Sequence, residues 1–172
     1  MRSSRLQGMD AAAEHTFLFA DLVGFTAFTE RVGDEAAADV AVAFKSAAAH
    51  AADELGCEVV KDLGDAVMIH GRDAPRVVTL ALRLARELAE EGWCPPLRMG
   101  VHSGAAAQRG RDWYGSTVNI AARLADSADA GEILMSLTTR DRLATRTGVT
   151  IAERGARSFK NVTAPLAVFA AA

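Results

Sequence analysis

Cysteine is scarce: Cys57 and Cys94 are the only two in 172 residues. That excludes a disulfide framework, and both read as free thiols of a reducing cytoplasm. Excess positive charge is also missing, with a formal net charge of −3 and a pI near 5.8. The balance argues against a general nucleic-acid binder, which needs a basic face, whereas a local phosphate site needs only a few cations. No apolar run approaches the roughly 18–20 residues that span a bilayer, so no membrane association is expected. The opening "MRSSRLQGMDAAAE" has arginines but no hydrophobic segment behind them. It reads as a short disordered lead over residues 1–14 and not as a secretory signal. His15, His50, His70 and His102 lack metal-ligand spacing and read as structural or exposed. No Ser-His-Asp or Cys-His arrangement follows from residue order. Repeats, linkers and low-complexity tracts are absent, so residues 15–172 read as one domain.

Half of the chain is hydrophobic, enough for a substantial core. "HTFLFAD" reads as a buried strand ended by an acid, followed by a glycine turn and the start of a helix. From Asp34 to Leu55, Val40, Phe44, Ala47, Ala51 and Leu55 recur at helical spacing, and Gly56 stands where helices often stop. "CEVVKDLGDAVMIHG" is a hairpin, Cys57–Asp62 and Ala66–His70, with Lys61 and Asp65 on the two sides of its turn. Val77, Ala81, Leu84 and Leu88 form the stripe of a second helix from Ala74 to Glu91. "LRMGVHSGAAAQ" is a strand, "RGRDWYGS" a polar connection, and "STVNIAARLADSAD" a helix with Ser116 as N-cap. "GEILMS" is a strand, "LTTRDRLA" a short helix, and "VTIAERGARSFKNVTAPLAVFA" supplies two or three terminal strands. Helices interleaved with strands around a central hairpin indicate an α+β sandwich, with helices on one face of a mainly antiparallel sheet.

Asp21 ends the first strand and Asp65 sits at the hairpin tip. A carboxylate beside buried apolar residues is costly unless paired, hydrogen-bonded or metal-bound. Two of them at one end of a sheet suit a hard divalent cation, which commonly shares one or two carboxylates with substrate phosphates. After Asp21 comes "LVGFT". Gly24 permits close backbone approach, and the N–H groups of Gly24, Phe25 and Thr26 open toward a helix start, where an anion is favoured. The plainer reading of this segment is an acid capping a helix turn. Asn119 and Arg123 are four residues apart in "VNIAAR" and share a helix face. Their neighbours are apolar, so the guanidinium is directed to a carboxylate, to solvent or to an anionic ligand.

Together, "FADLVGFT", "VVKDLGDAVM", "LRMGVHSG", "RDWYGSTVNIAARL" and "FKNVTAPLAVF" resemble the class III nucleotidyl cyclase catalytic domain, the adenylyl and guanylyl cyclase family. The five segments fall in the family's order and span Phe17 to Phe169, nearly the whole chain. The resemblance implies a ferredoxin-like βαββαβ sandwich core with a C-terminal β extension, dimerised head to tail with active sites at the interface. It implies that Asp21 and Asp65 hold two divalent cations, Mg²⁺ or Mn²⁺, and that Lys61 and Asp112 recognise the purine. Asn119 resembles the residue that orients the ribose, and Arg123 the one that stabilises the transition state. Arg98 resembles an arginine on the terminal phosphates, and Lys160 a second phosphate-binding cation. The family often has glycine where this chain has Asn161, a residue that tolerates left-handed backbone. "AAAQRGR" is short for a dimer-stabilising arm, which places the chain near the compact bacterial members.

The implied activity is conversion of ATP to 3′,5′-cyclic AMP in the cytoplasm. Lys61 favours ATP over GTP, since guanylyl members usually place an acid there. The alternatives are a non-catalytic nucleotide-binding or dimerisation module of the same fold, a guanylyl cyclase, a diguanylate cyclase and an RNA-binding ferredoxin-like domain. The hairpin lacks a "GGDEF"-like sequence and the sheet lacks the aromatic RNA-binding pattern, which count against the last two.

Overall fold

The computed structural model describes residues 14–143 and 148–172. Residues 1–13, most of the expected disordered lead, and Ala144, the end of the expected "LTTRDRLA" helix, lie outside them. Glu14, placed in the lead by sequence, is the first residue of β1 (Glu14–Leu22).

Two helices follow β1: α1 (Phe25–Val32) and α2 (Asp34–Glu54). The hairpin is β2 (Glu58–Asp62) and β3 (Ala66–Gly71), with Cys57 just outside it. Then come α3 (Ala74–Glu91), β4 (Leu97–Ala105), β5 (Ala107–Arg109), β6 (Asp112–Tyr114) and α4 (Ser116–Ser127). The chain finishes with β7 (Ile133–Ser136), α5 (Leu137–Arg140), β8 (Ile151–Arg157) and β9 (Leu166–Ala171). Seven strands form one sheet in the order β2-β3-β1-β4-β7-β9-β8. Every pairing is antiparallel except β4 with β7, which α4 connects. The expected mainly antiparallel α+β fold is present.

The helices do not all lie on one face. Side chains alternate along a strand, and β1 uses both sides. Leu18, Ala20 and Leu22 pack with Phe44 of α2 and with Val77, Ala81 and Leu84 of α3. Phe17 points the other way, into a cluster with Met68, Trp113 and Ala121 of α4. Hydrophobic periodicity says which side of a helix is buried but not which side of the sheet it covers. A strand glycine seats α4: a Cβ at Gly100 would lie 2.2 Å from the Ala125 nitrogen and 2.3 Å from the Ala121 oxygen. The helix backbone therefore rests directly on β4.

Two local expectations change. Gly115, at φ 137°, holds the N-cap position of α4, and Ser116 is the first helical residue. "RGRDWYGS" is not a plain connection, because β5 and β6 pair as a small antiparallel hairpin. Both cysteines are free and half-buried, and burial pushes the Cys94 thiol up to about 11, away from the thiolate form. Among the described residues, no helix is long and apolar enough to cross a membrane.

Candidate active site

Sheet register brings the carboxylates together. Asp21 lies opposite Ala66 on β3 and opposite Arg98 on β4. The Leu22 N–H donates to the Asp65 carbonyl at 3.1 Å, so Asp65 stands next to Asp21 at the same sheet end. The Asp21 side chain is only 18% exposed. Burial raises its pKa and the charges of Asp65 and Asp126 add to the rise, while Arg98 pulls the other way. Arg98 Nε and Nη2 both converge on Asp21 Oδ2, at 2.7 and 2.5 Å. Arg98 Nη1 also reaches the Asp126 carbonyl in α4 at 3.4 Å.

Immediately beyond Asp21, the Val23 N–H is held by the Pro96 carbonyl at 2.9 Å. Gly24 takes a left-handed conformation, φ 68°, which turns the chain into α1. No side chain caps this helix start and its first turn carries no acid. The N–H groups at Phe25 and Thr26 thus form an uncapped, electropositive helix end beside two carboxylates. This donor set fits a divalent cation with a bound phosphate: hard oxygen ligands on one side, backbone donors on the other.

Lys61 does not pair with its hairpin neighbour Asp65. Its Nζ lies 2.6 Å from Asp112 Oδ2, across to β6. A β2 irregularity between Val59 and Lys61 re-aims the strand at this point. Lys61 lowers the Asp112 pKa, and the Trp113 N–H, donating to Oδ1 at 2.7 Å, adds to the effect. Behind Asp112, the buried Trp113 indole sits on His15 and His70, with ring centroids 4.3 and 4.4 Å away. His15 Nδ1 and His70 Nε2 share a hydrogen bond of 3.0 Å. Both histidines are buried, as the structural reading of them allows. Trp113 carried no signal beyond its being next to Asp112.

Asn119 and Arg123 project from α4 into a cleft of about 410 Å³ that Lys160 and Asn161 close from the other side. Asn161 is the single described non-glycine residue with positive φ, 65°, so this loop keeps the left-handed turn that glycine would make. The cleft includes neither Asp21 nor Asp65. The sequence-predicted residues therefore fall into three clusters in one protomer: Asp21, Asp65, Arg98 and the Gly24 turn; Lys61 with Asp112; and Asn119, Arg123 and Lys160. Asp126 lies between the first and third, since its carbonyl meets Arg98 and its carboxylate lies 3.4 Å from Arg123 Nη1. No motif pointed to Asp126, although it follows Arg123 by three residues on the same helix.

An adenylate cyclase of Streptomyces griseus is 36% identical over 117 residues, covering 68% of this chain and 29% of that protein. A pH-sensitive adenylate cyclase of Mycobacterium tuberculosis is 36% identical over 137 residues, 78% of this chain and 34% of that protein. The chain thus spans about a third of the length of these curated relatives. Among solved structures, an adenylate cyclase of Trypanosoma brucei in its monomeric state superposes with a TM-score of 0.86 at 20% identity, covering 96% of this chain and 92% of that one. That likeness concerns the fold. The adenylate and guanylate cyclase catalytic domain matches residues 9–169, a span that holds all three clusters, and the chain belongs to that family.

Proposed function

We propose that residues 15–172 form one catalytic unit of an adenylyl cyclase, which converts ATP to 3′,5′-cyclic AMP and pyrophosphate at a head-to-tail homodimer interface. The observation that carries the reading is the 2.6 Å pair of Lys61 with Asp112. Adenine offers an acceptor at N1 and a donor at its exocyclic amine, which a lysine donor and an aspartate acceptor complement. Guanine offers the reverse. The separation of the clusters within one protomer supports a shared site: Asp21 and Asp65 from one copy, with Lys61, Asp112, Asn119 and Arg123 from its partner. Two such sites follow from one two-fold axis.

In this site the ribose 3′-hydroxyl attacks the α-phosphorus in line, and the bond to the bridging oxygen breaks to release pyrophosphate. Asp21 and Asp65 would hold two Mg²⁺ or Mn²⁺ ions, which make the hydroxyl easier to deprotonate and neutralise phosphate charge. Asn119 fixes the ribose, a positioning role. Arg123 faces the charge that develops on the α-phosphate, a kind of stabilisation worth a few kcal/mol. The N–H groups of the Gly24–Phe25–Thr26 turn, Arg98 and Lys160 bind phosphate oxygens. The proposed site of action is the cytoplasm, where ATP is supplied.

Turnover of Mg²⁺- or Mn²⁺-ATP and of GTP, measured across protein concentrations, tests this reading. Cyclic AMP should form from ATP, and the rate per protomer should fall as the dimer dissociates on dilution. Asp21→Ala should abolish it. Nucleotide binding without turnover would favour a non-catalytic module, and preference for GTP would overturn the base assignment.

A further inference from the structure

Asp21 carries its own counter-charge in the absence of any metal, and the fold chooses which one. Asp21 and Arg98 are direct cross-strand partners, so the sheet itself holds the guanidinium over the carboxylate. Two donors of Arg98 converge on the same oxygen, at 2.7 and 2.5 Å. The carboxylate is largely shielded from water and has Asp65 beside it, so a cation paired with it offsets the cost of burying its charge.

Resting on the metal reading above, we propose that Arg98 is a positioning residue which stands in for the divalent cation on Asp21 and is displaced by it. A metal ion and a guanidinium cannot share Asp21 Oδ2 without strong repulsion. Arg98 has somewhere to go: its side chain is about one-third exposed, and its Nη1 already leans on the Asp126 carbonyl of α4. Displacement frees a cation for a bound triphosphate when the metal arrives, so one side chain links occupancy of the two sites. Before then, the pair keeps the carboxylate aimed, and makes the empty site a weaker metal binder than two bare carboxylates would be.

The test uses Mn²⁺ alone, with free ion followed by electron paramagnetic resonance, on the whole chain without nucleotide. Arg98→Met keeps the length of the side chain and removes its charge. It should bind Mn²⁺ about tenfold more tightly than wild type, since a charge-assisted contact no longer competes. Arg98→Lys, a gentler change that carries the test if the Met variant does not fold, should tighten binding by about threefold, having one point charge in place of a fork. A structural role alone would leave affinity unchanged or weaken it. Asp21→Asn and Asp65→Asn should lose the ion. If they do while the Arg98 variants bind no tighter than wild type, the exchange is wrong and the metal site stands. If both Asn variants bind Mn²⁺ as wild type does, the metal assignment falls and the exchange with it.

Discussion

Gly100→Ala adds one methyl group and should damage both stability and turnover. Gly100 has ordinary backbone geometry, so the added Cβ brings no conformational strain and acts through contact alone. It would sit 2.2 Å from the Ala125 nitrogen, 2.3 Å from the Ala121 oxygen and 2.8 Å from the Leu124 carbonyl carbon, where ordinary contact begins at 3.4 Å. All three atoms are α4 backbone, so no rotamer change relieves them. The helix must ride up by about 1 Å. Overpacking of this kind costs about 1–3 kcal/mol, with this site at the upper end because backbone must move. At about 2–4 °C per kcal/mol for a chain this long, the melting temperature should fall by roughly 5–10 °C. Asn119 and Arg123 ride on the same helix, and on the roles proposed for them a displacement near 1 Å can cost about 10²-fold in rate. Calorimetry and a cyclic AMP assay at a temperature where the variant is folded measure the two effects. A variant that melts within about 1 °C of wild type with undiminished turnover would refute the seating of α4 on β4.

On the proposed base assignment, Lys61→Glu replaces the donor that would face the purine with an acceptor; the ratio of kcat/KM for ATP over GTP should fall by at least about tenfold, since mispairing leaves a buried polar group unsatisfied at about 1–3 kcal/mol. An unchanged ratio would remove Lys61 from base recognition. Leu84 is fully buried between α3 and the sheet; Leu84→Ala should cost about 2–5 kcal/mol in urea unfolding while folded protein keeps its turnover. The pKa values of His70 and His102 are each lowered to about 4, chiefly by burial, from the usual 6.5. The unfolded chain therefore takes up these protons first, and stability should fall as pH drops from about 6.5 through about 4, by about 2–3 kcal/mol per histidine. Urea midpoints at pH 7, 6 and 5 should trace that decline, and His102→Gln should roughly halve it, leaving the share of His70; a flat wild-type profile would contradict the burial argument.

The elements that were legible in the sequence are those whose local pattern is long. The stripes of α2 and α3 repeat over several turns, and the apolar run of β1 ends at an acid. β5 and β6, three residues each, are too short to show a period. The side of the sheet that α4 covers depends on a contact between Gly100 and a helix about twenty residues later, which no window of the sequence contains. A glycine inside the strand "LRMGVHSG" is nonetheless a readable sign that backbone comes close there.

The candidate site divides along the same line. Asp65 and the Gly24 turn announce themselves in short motifs, because a carboxylate at a hairpin tip or a glycine before a helix is a local fact. Pairings are not local. Lys61 and Asp65 are neighbours in the chain, and chain proximity favours a local ion pair between them. The β2 irregularity at Lys61 and the β5–β6 hairpin instead deliver the lysine to Asp112. Arg98 meets Asp21 because β4 runs antiparallel to β1 in one particular register, and a slip of a single residue would turn the guanidinium to the opposite face. Motifs thus nominate the charged groups, but register decides which charges neutralise one another. That second decision is what leaves Asp65 without a lysine and Asp21 with an arginine, and so, on the exchange proposed above, sets which of the two carboxylates would give up a partner to a metal ion.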